Sequence, residues 1–520
     1  VSVAGPRAGA NGRRGREPKK ADPVVSSIRW LDDRLGVAKG GRTLLDKIFP
    51  DHWSFLLGEI ALYSFVVLIA TGVFVSLYFV PSANDIIYHG AYAPLRGAKV
   101  SAAFGSTVDL SFGVRSGLVI RQMHHWAADV FVGAIAVHMC RIFFTGAFRK
   151  PRELNWMIGV TLLILALTNG FIGYSLPDDL VSGTGLRIMF SIVLSIPIVG
   201  SYLATFLFGG NFPGNGSIIP RLFIIHVLVV PLIILGLLAA HLGLLVRQKH
   251  TQFAGHGRTE KNVVGSPMYP TFIAKTTGFL FVITGVLWAL GGLAQVNPIW
   301  QFGQYEPTKI SYAVQPDWYM GWLDGALRIM PPLSFTAFGH TIPFVVFFPA
   351  VLFPGLCFNL FYVWPFLESK LTGDRAEHNL LDRPRDKPRR TAIGAAALAF
   401  FFTLFAASST DVLANFFKIS LNEVLWFFRI AVFVIPVIAG GFAYYLCREM
   451  SGVPGIGRRK RAVVITRSAE GEYESVASAP RPGDGEMELV PTPVPERIDL
   501  DGELEPVEAA TSGVRRIPRR

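Results

Sequence analysis

Three cysteines in 520 residues are few, and no two of them lie close in sequence. Cys140, Cys357 and Cys447 lie within or at the end of apolar runs, and no CxxC or CxxCH occurs. That excludes a zinc ribbon and a covalently attached c-type haem in this chain. Charge is also scarce. It makes up 17% of residues, where a soluble chain carries about a quarter. The start, VSVAGPRAGANGRRGREPKK, is basic and Gly-rich with no apolar core near it, so no cleavable signal peptide is visible.

Apolar residues fill the space that charge leaves. The chain is 51% hydrophobic with 41 phenylalanines, and its mean hydropathy is +0.42. Runs of about 20 apolar residues suffice to cross a bilayer. Eight are expected, at 55–80, 121–145, 156–176, 221–247, 271–294, 341–366, 391–410 and 424–447. A further apolar stretch at 186–210 contains Pro197 and small residues, and is expected to form helices on the membrane surface. The fold class is therefore all-α and polytopic.

Basic clusters follow spans two, four and six ("RKPREL", "RQKHTQFAGHGRTEK", "ESKLTGDRAEHNLLDRPRDKPRR"), and "RRKR" follows span eight. By the positive-inside rule both termini face the cytoplasm. The pI near 9.6 thus reflects membrane topology and points to no nucleic acid. Four regions are expected. They are a basic cytoplasmic extension (1–45), a four-helix N-terminal domain (46–250), a four-helix C-terminal domain (251–449) and a disordered cytoplasmic tail (450–520).

Histidines stand inside two of the spans. Polar groups are costly there and usually carry a task. His124 and His138 are 14 apart, which places them on one helix face, roughly 21 Å apart along the axis. His226 and His241 are 15 apart, again roughly on one face and about 22 Å apart. Both helices run from outside to inside, so His124 pairs with His226 near the outer surface and His138 with His241 near the cytoplasm. His125 rivals His124, and the 14-residue register favours His124. Neutral imidazole is a standard axial ligand for haem iron. Two stacked, non-covalent b-type haems are the simplest use of four such residues. Gly58 and Gly72 in span one, and Gly159 and Gly173 in span three, repeat the 14-residue interval. Glycine lets a flat ring approach the backbone, although glycines are also common at plain helix contacts. Arg121 and Arg221 precede the outer histidines and suit haem propionates or simply the aqueous interface.

With these residues in place, the chain resembles the cytochrome b subunit of quinol–cytochrome c reductases over residues 45–447. "GYSLPDDLVSGTGL" (173–186) is similar to the family's segment leading into the outer quinol site. "QPDWYMGWLDGALRIMP" (315–331) resembles its Pro-Glu-Trp-Tyr motif, with Asp317 in place of the glutamate. The 15-residue interval resembles chloroplast-type and Gram-positive members, yet all eight spans share one chain. Leu56 stands where the chloroplast form attaches an extra haem, so that haem is expected to be absent. The extension and tail look like those of actinobacterial members.

The resemblance implies a proton-motive Q cycle in the bacterial plasma membrane. Quinol, menaquinol by the actinobacterial likeness, is oxidised near the outer face. One electron leaves through a Rieske iron–sulfur subunit and a c-type cytochrome subunit. The other crosses the two haems to a quinone site near the cytoplasm. The resemblance also implies a homodimeric complex and a supercomplex with an aa-type cytochrome c oxidase. At the outer site Asp317 is expected to accept a proton. Asp324, seven residues on and on the same face if the segment is helical, and His340 are the next candidates. Tyr174, Gly185, Pro316, Trp318 and Tyr319 are expected around the quinol. Lys275, in "YPTFIAKTTG", is expected near the cytoplasmic quinone or as a snorkelling lysine, with Thr276 where an aspartate is common. Two other readings predict different things. A dehydrogenase's cytochrome b anchor leaves the "PDWY" loop unexplained, and a proton-relaying transporter would bind no haem.

Overall fold

The computed structural model describes residues 44–451 except 215, 310–314 and 338, a few positions between 26 and 41, and strands at 463–467 and 473–477. Among the described residues, eight helices are long and apolar enough to cross a membrane: Trp53–Ser76, Gly117–Phe144, Glu153–Tyr174, Ile218–Gln248, Met268–Leu293, Phe344–Thr372, Pro388–Ala407 and Leu421–Met450. They match the expected spans to within a few residues at most ends. A helix satisfies its own backbone hydrogen bonds, which is why apolar runs of this length take that form in lipid. The 186–210 stretch forms two short helices, Leu180–Leu194 and Gly200–Phe208. Asp179 starts the first, accepting from the Val181 and Ser182 amides.

The first four spans share one core. Ala61 and Phe65, Phe131 and Ile135, Leu162 and Ala166, and Val230 and Ile234 meet there, one pair from each helix. The fifth span packs on the first two through Leu287, Val67, Met123 and Ala127. The seventh and eighth pack together around Leu404, Ala407, Phe428 and Val432. The expected N- and C-terminal halves are stapled at one end. Arg152 donates to His378 O and Asn379 Oδ1, and Arg149 pairs with Asp382, which also pairs with the buried Arg390.

The fourth span is not a uniform α-helix. Ile225–Val229 forms a π-turn just before Pro231. Proline lacks an N–H, and its ring crowds the carbonyl four residues back, here Val227. A wider turn relieves that crowding and absorbs one extra residue. In a regular helix, 15 residues would leave His241 about 60° away from His226. With one residue absorbed, the interval acts as 14, and both histidine pairs gain the same register.

Residues up to 453 form one compact unit, and those from 454 onward form another. In the second, Val463–Arg467 pairs antiparallel with Tyr473–Ala477. The β-branched run Val463, Val464, Ile465 and Thr466 favours a strand there. The rest of the tail, and most of the basic extension at 1–45, lie outside the described residues.

Candidate functional site

His124 stands about two turns into its span, and His226 sits in the π-turn of the fourth. The structure brings the two together, with ring centroids 6.2 Å apart and planes at 80°. Each ring is held by its Nδ1. Thr71 Oγ1 lies 2.9 Å from Nδ1 of His124, and the carbonyl of Asn169 lies 3.1 Å from Nδ1 of His226. A hydrogen bond at Nδ1 fixes the ring and leaves Nε2 free to bind a metal. At the other end of the bundle, Nδ1 of His138 and of His241 are buried without a partner.

The four glycines face these rings. A Cβ built on Gly72 would lie 3.2 Å from His124 Cε1, and one on Gly58 equally close to His138 Cε1. On Gly173 it would overlap the His226 ring, and on Gly159 it would sit 4.0 Å from His241 Cε1. Two donor pairs of neutral nitrogens, each beside small-residue backbone, fit two flat iron-bearing macrocycles.

The end holding His124 and His226, called the upper end, also receives the PDWY segment. Asp317 is in extended backbone just before a single 3₁₀ turn, Trp318–Met320. Its Oδ1 lies 3.0 Å from His125 Nε2, and its Oδ2 accepts from the Tyr319 hydroxyl at 3.0 Å. Asp129, one turn beyond His125, lies 4.0 Å from the same Nε2. Ligand-type atoms of His125, Asp129 and Asp317 all fall within 4.8 Å of one another. The Tyr319 hydroxyl occupies the place a side chain on Gly170 would fill, 2.8 Å from its built Cβ. Burial, and then the Asp317 carboxylate, hold the Tyr319 phenol well above its ordinary pKa, so it stays a donor. Asp317, Tyr319, Tyr174, His124, His125 and His226 line one cavity.

Other expected site residues go elsewhere. Gly185 faces Phe171, and a Cβ there would sit 3.7 Å from that ring. Trp318, 44% exposed, lies against Gly133 of the second span. Neither residue, nor Pro316, lines the cavity. Arg121 is buried, donates to Asn297 O at 3.0 Å and lines the cavity, with its Nε unpartnered. Arg221 is exposed and donates to the carbonyls of Phe206 and Leu207, which ties it to the surface helix rather than to the bundle interior. Asp324 does not share a face with Asp317, because the helix begins only at Gly321. It pairs instead with Arg328 at 2.8 Å, and Arg328 also holds Asp411. Burial pushes the Asp324 carboxyl up, against the pull of Arg328. His340 pairs with Ala337 in a two-stranded hairpin, and its side chain lies outside the described residues. Lys275 is exposed and pairs with Asp51 at 2.8 Å.

Sequence reasoning passed over His125 and Asp129 as a pair. Their signal was the i,i+4 spacing in "HHWAAD", which puts imidazole and carboxylate on one helix face.

Comparison with known proteins bears on this geometry. A family model described as cytochrome b(N-terminal)/b6/petB matches residues 129–304. The chain is 52% identical over 410 residues to the cytochrome bc1 complex cytochrome b subunit of Streptomyces coelicolor, covering 79% of this chain and 75% of that protein. It is 48% identical over 504 residues to the subunit of the same name from Mycobacterium tuberculosis, covering 93% and 90%. The fold is similar to a solved structure titled hyperthermophilic respiratory Complex III, with a TM-score of 0.59 at 20% identity, covering 81% of this chain and 99% of that one.

Proposed function

We propose a specific working for this chain, which belongs to the cytochrome b subunits of actinobacterial cytochrome bc1 complexes and so forms part of a quinol–cytochrome c oxidoreductase. Quinol, in particular menaquinol, is oxidised in the upper cavity, and Asp317 accepts one of its protons. The carboxylate is held from both sides, by His125 at Oδ1 and by the Tyr319 hydroxyl at Oδ2. That leaves one lone pair per oxygen for an incoming hydroxyl and sets the acceptor's direction before substrate arrives.

The family implies haem. The residues that would hold it are His124 with His226 at the upper end, and His138 with His241 at the lower. Bound there, haems would supply a one-electron relay between the two ends. The chain's contribution is to fix the tautomers of His124 and His226 through Thr71 and Asn169, and to leave room for a flat ring at Gly58, Gly72, Gly159 and Gly173. One electron per quinol is passed to a quinone at the lower end. The other leaves through a Rieske iron–sulfur subunit and a c-type cytochrome. The upper end faces outward and both termini lie in the cytoplasm, so protons are released and taken up on opposite sides. The assembly is a dimer of complexes, joined to an aa-type cytochrome oxidase.

The observation that carries the reading is the His125–Asp317–Tyr319 cluster in the cavity that also holds the His124–His226 pair. Asp317→Asn keeps the shape and removes the acceptor. Quinol oxidation should fall about 100-fold, with kcat and kcat/KM falling together, while both haem spectra stay intact. Turnover at the native rate across neutral pH would remove Asp317 from the role.

A further inference from the structure

Glu59 lies in the first span, about two turns in from its start at Trp53. Its carboxylate accepts a hydrogen bond from Thr276 Oγ1 of the fifth span at 2.8 Å. The Tyr63 hydroxyl, one turn along the first span, bonds the same Thr276 hydroxyl. Among the described residues Glu59 has no ion-pair partner. A carboxyl inside a span is costly, and without a cation its retention points to a task.

Its surroundings connect two places. On one side, the adjacent Gly58 packs on His138, where a built Cβ would lie 3.2 Å from Cε1. On the other side, Lys275 precedes Thr276 and pairs with Asp51 at 2.8 Å, while Ser266 donates to Asp51 and accepts from Lys275 at 3.3 Å. Asp51 and Lys275 are exposed and Ser266 is half-buried. The groups facing Glu59 are therefore Tyr63 from its own helix and Thr276 from the fifth. The neighbouring charges, Asp51 and Lys275, neutralise each other. A charged surface cluster thus ends at Lys275, one residue before the Thr276 hydroxyl that holds the Glu59 carboxylate.

We propose that Glu59 donates a proton to the quinone reduced at the lower end, and regains it from water through Thr276 and the Asp51–Ser266–Lys275 cluster. The inference rests on the reading that quinone is reduced at this end. Each quinone takes two electrons, delivered singly from quinol oxidised above, and two protons. Glu59 transfers its carboxyl proton to a quinone oxygen, becomes a carboxylate, and is reprotonated before the next transfer. Tyr63 and Thr276 position it. A carboxyl on the first span thus faces Thr276, which stands on the fifth span where an aspartate is common in the family.

The test uses the assembled complex carrying Asp317→Asn, which silences the upper site, with its b haems reduced beforehand. Added menaquinone reoxidises them through the lower end, followed by absorbance. Glu59→Gln should slow this about 100-fold with haem content unchanged. Glu59→Asp should recover part of the rate, and Thr276→Val should shift its pH profile. Should Glu59→Gln lose its haems, Glu59→Asp and Thr276→Val carry the test by the rate and pH readouts. Reoxidation of the Glu59 variants at the parent rate and with the parent pH profile overturns the proposal alone. If menaquinone does not reoxidise the haems of the parent complex, the lower-end quinone reading itself fails, and this inference goes with it.

Discussion

His125 Nε2 and Asp317 Oδ1 meet at 3.0 Å across 192 residues of chain. Two adjacent histidines lining one cavity therefore take different partners. His124 turns toward His226, and His125 turns toward the PDWY segment. The pairing places the proposed proton acceptor one residue from a proposed haem ligand.

The second hold on that carboxylate is Tyr319. Replacing it with phenylalanine removes the bond to Oδ2 and leaves the bond to Oδ1. A hydrogen bond of this kind contributes about 1 kcal/mol, so quinol oxidation should slow about fivefold, far less than with Asp317→Asn. Steady-state kinetics on both variants distinguishes them, and equal losses would contradict a holding role for Tyr319.

The glycines differ in how tightly they are used. A Cβ on Gly173 would overlap His226, whereas on Gly159 it would stand 4.0 Å from His241. Gly173→Ala should therefore lower haem content at the upper end more than Gly159→Ala lowers it at the lower end. Haemochrome assays of the two variants decide the order.

The pairing of Asp324 with Arg328 leads us to expect a structural role for it. Asp324→Asn leaves Arg328 with Asp411 and Gln315. The change should cost about 1–2 kcal/mol of stability and leave quinol oxidation at the native rate. Thermal unfolding and turnover measured on the same preparation check both halves.

Asp178 gives a pH signature. It holds a positive φ of 56°, and burial pushes its carboxyl from an ordinary 3.8 up to about 6. Between those values the folded chain keeps a proton that the unfolded chain has released. Stability should therefore fall as pH rises through that window. Asparagine also tolerates positive φ and does not titrate. Asp178→Asn should flatten the fall in Tm between pH 3.8 and about 6. An unchanged slope would place the effect elsewhere.

What was legible in the sequence was periodic or compositional. The eight spans follow from apolar runs, and the histidine and glycine intervals from helical repeat. The π-turn was not legible from the interval alone, although Pro231 marks the place where a regular helix is disturbed. Destinations of long side chains were not legible either. Arg221 and Asp324 found partners supplied by tertiary packing, the carbonyls of Phe206 and Leu207 in one case and Arg328 in the other. The shared face expected for Asp317 and Asp324 required a continuous helix, and extended backbone at Asp317 interrupts it. His125 and Asp129 showed their common face in sequence, but their partner lies far along the chain.

The central claim is that four histidines build two haem seats in one bundle, paired His124–His226 and His138–His241. Pyridine haemochrome stoichiometry on the purified protein and its His124 and His138 variants tests it most directly. The account predicts two b haems per chain, and one in each folded variant, with different haem bands lost from the reduced-minus-oxidised spectrum. A folded His138 variant that keeps both haems, or a native chain holding none, would contradict it.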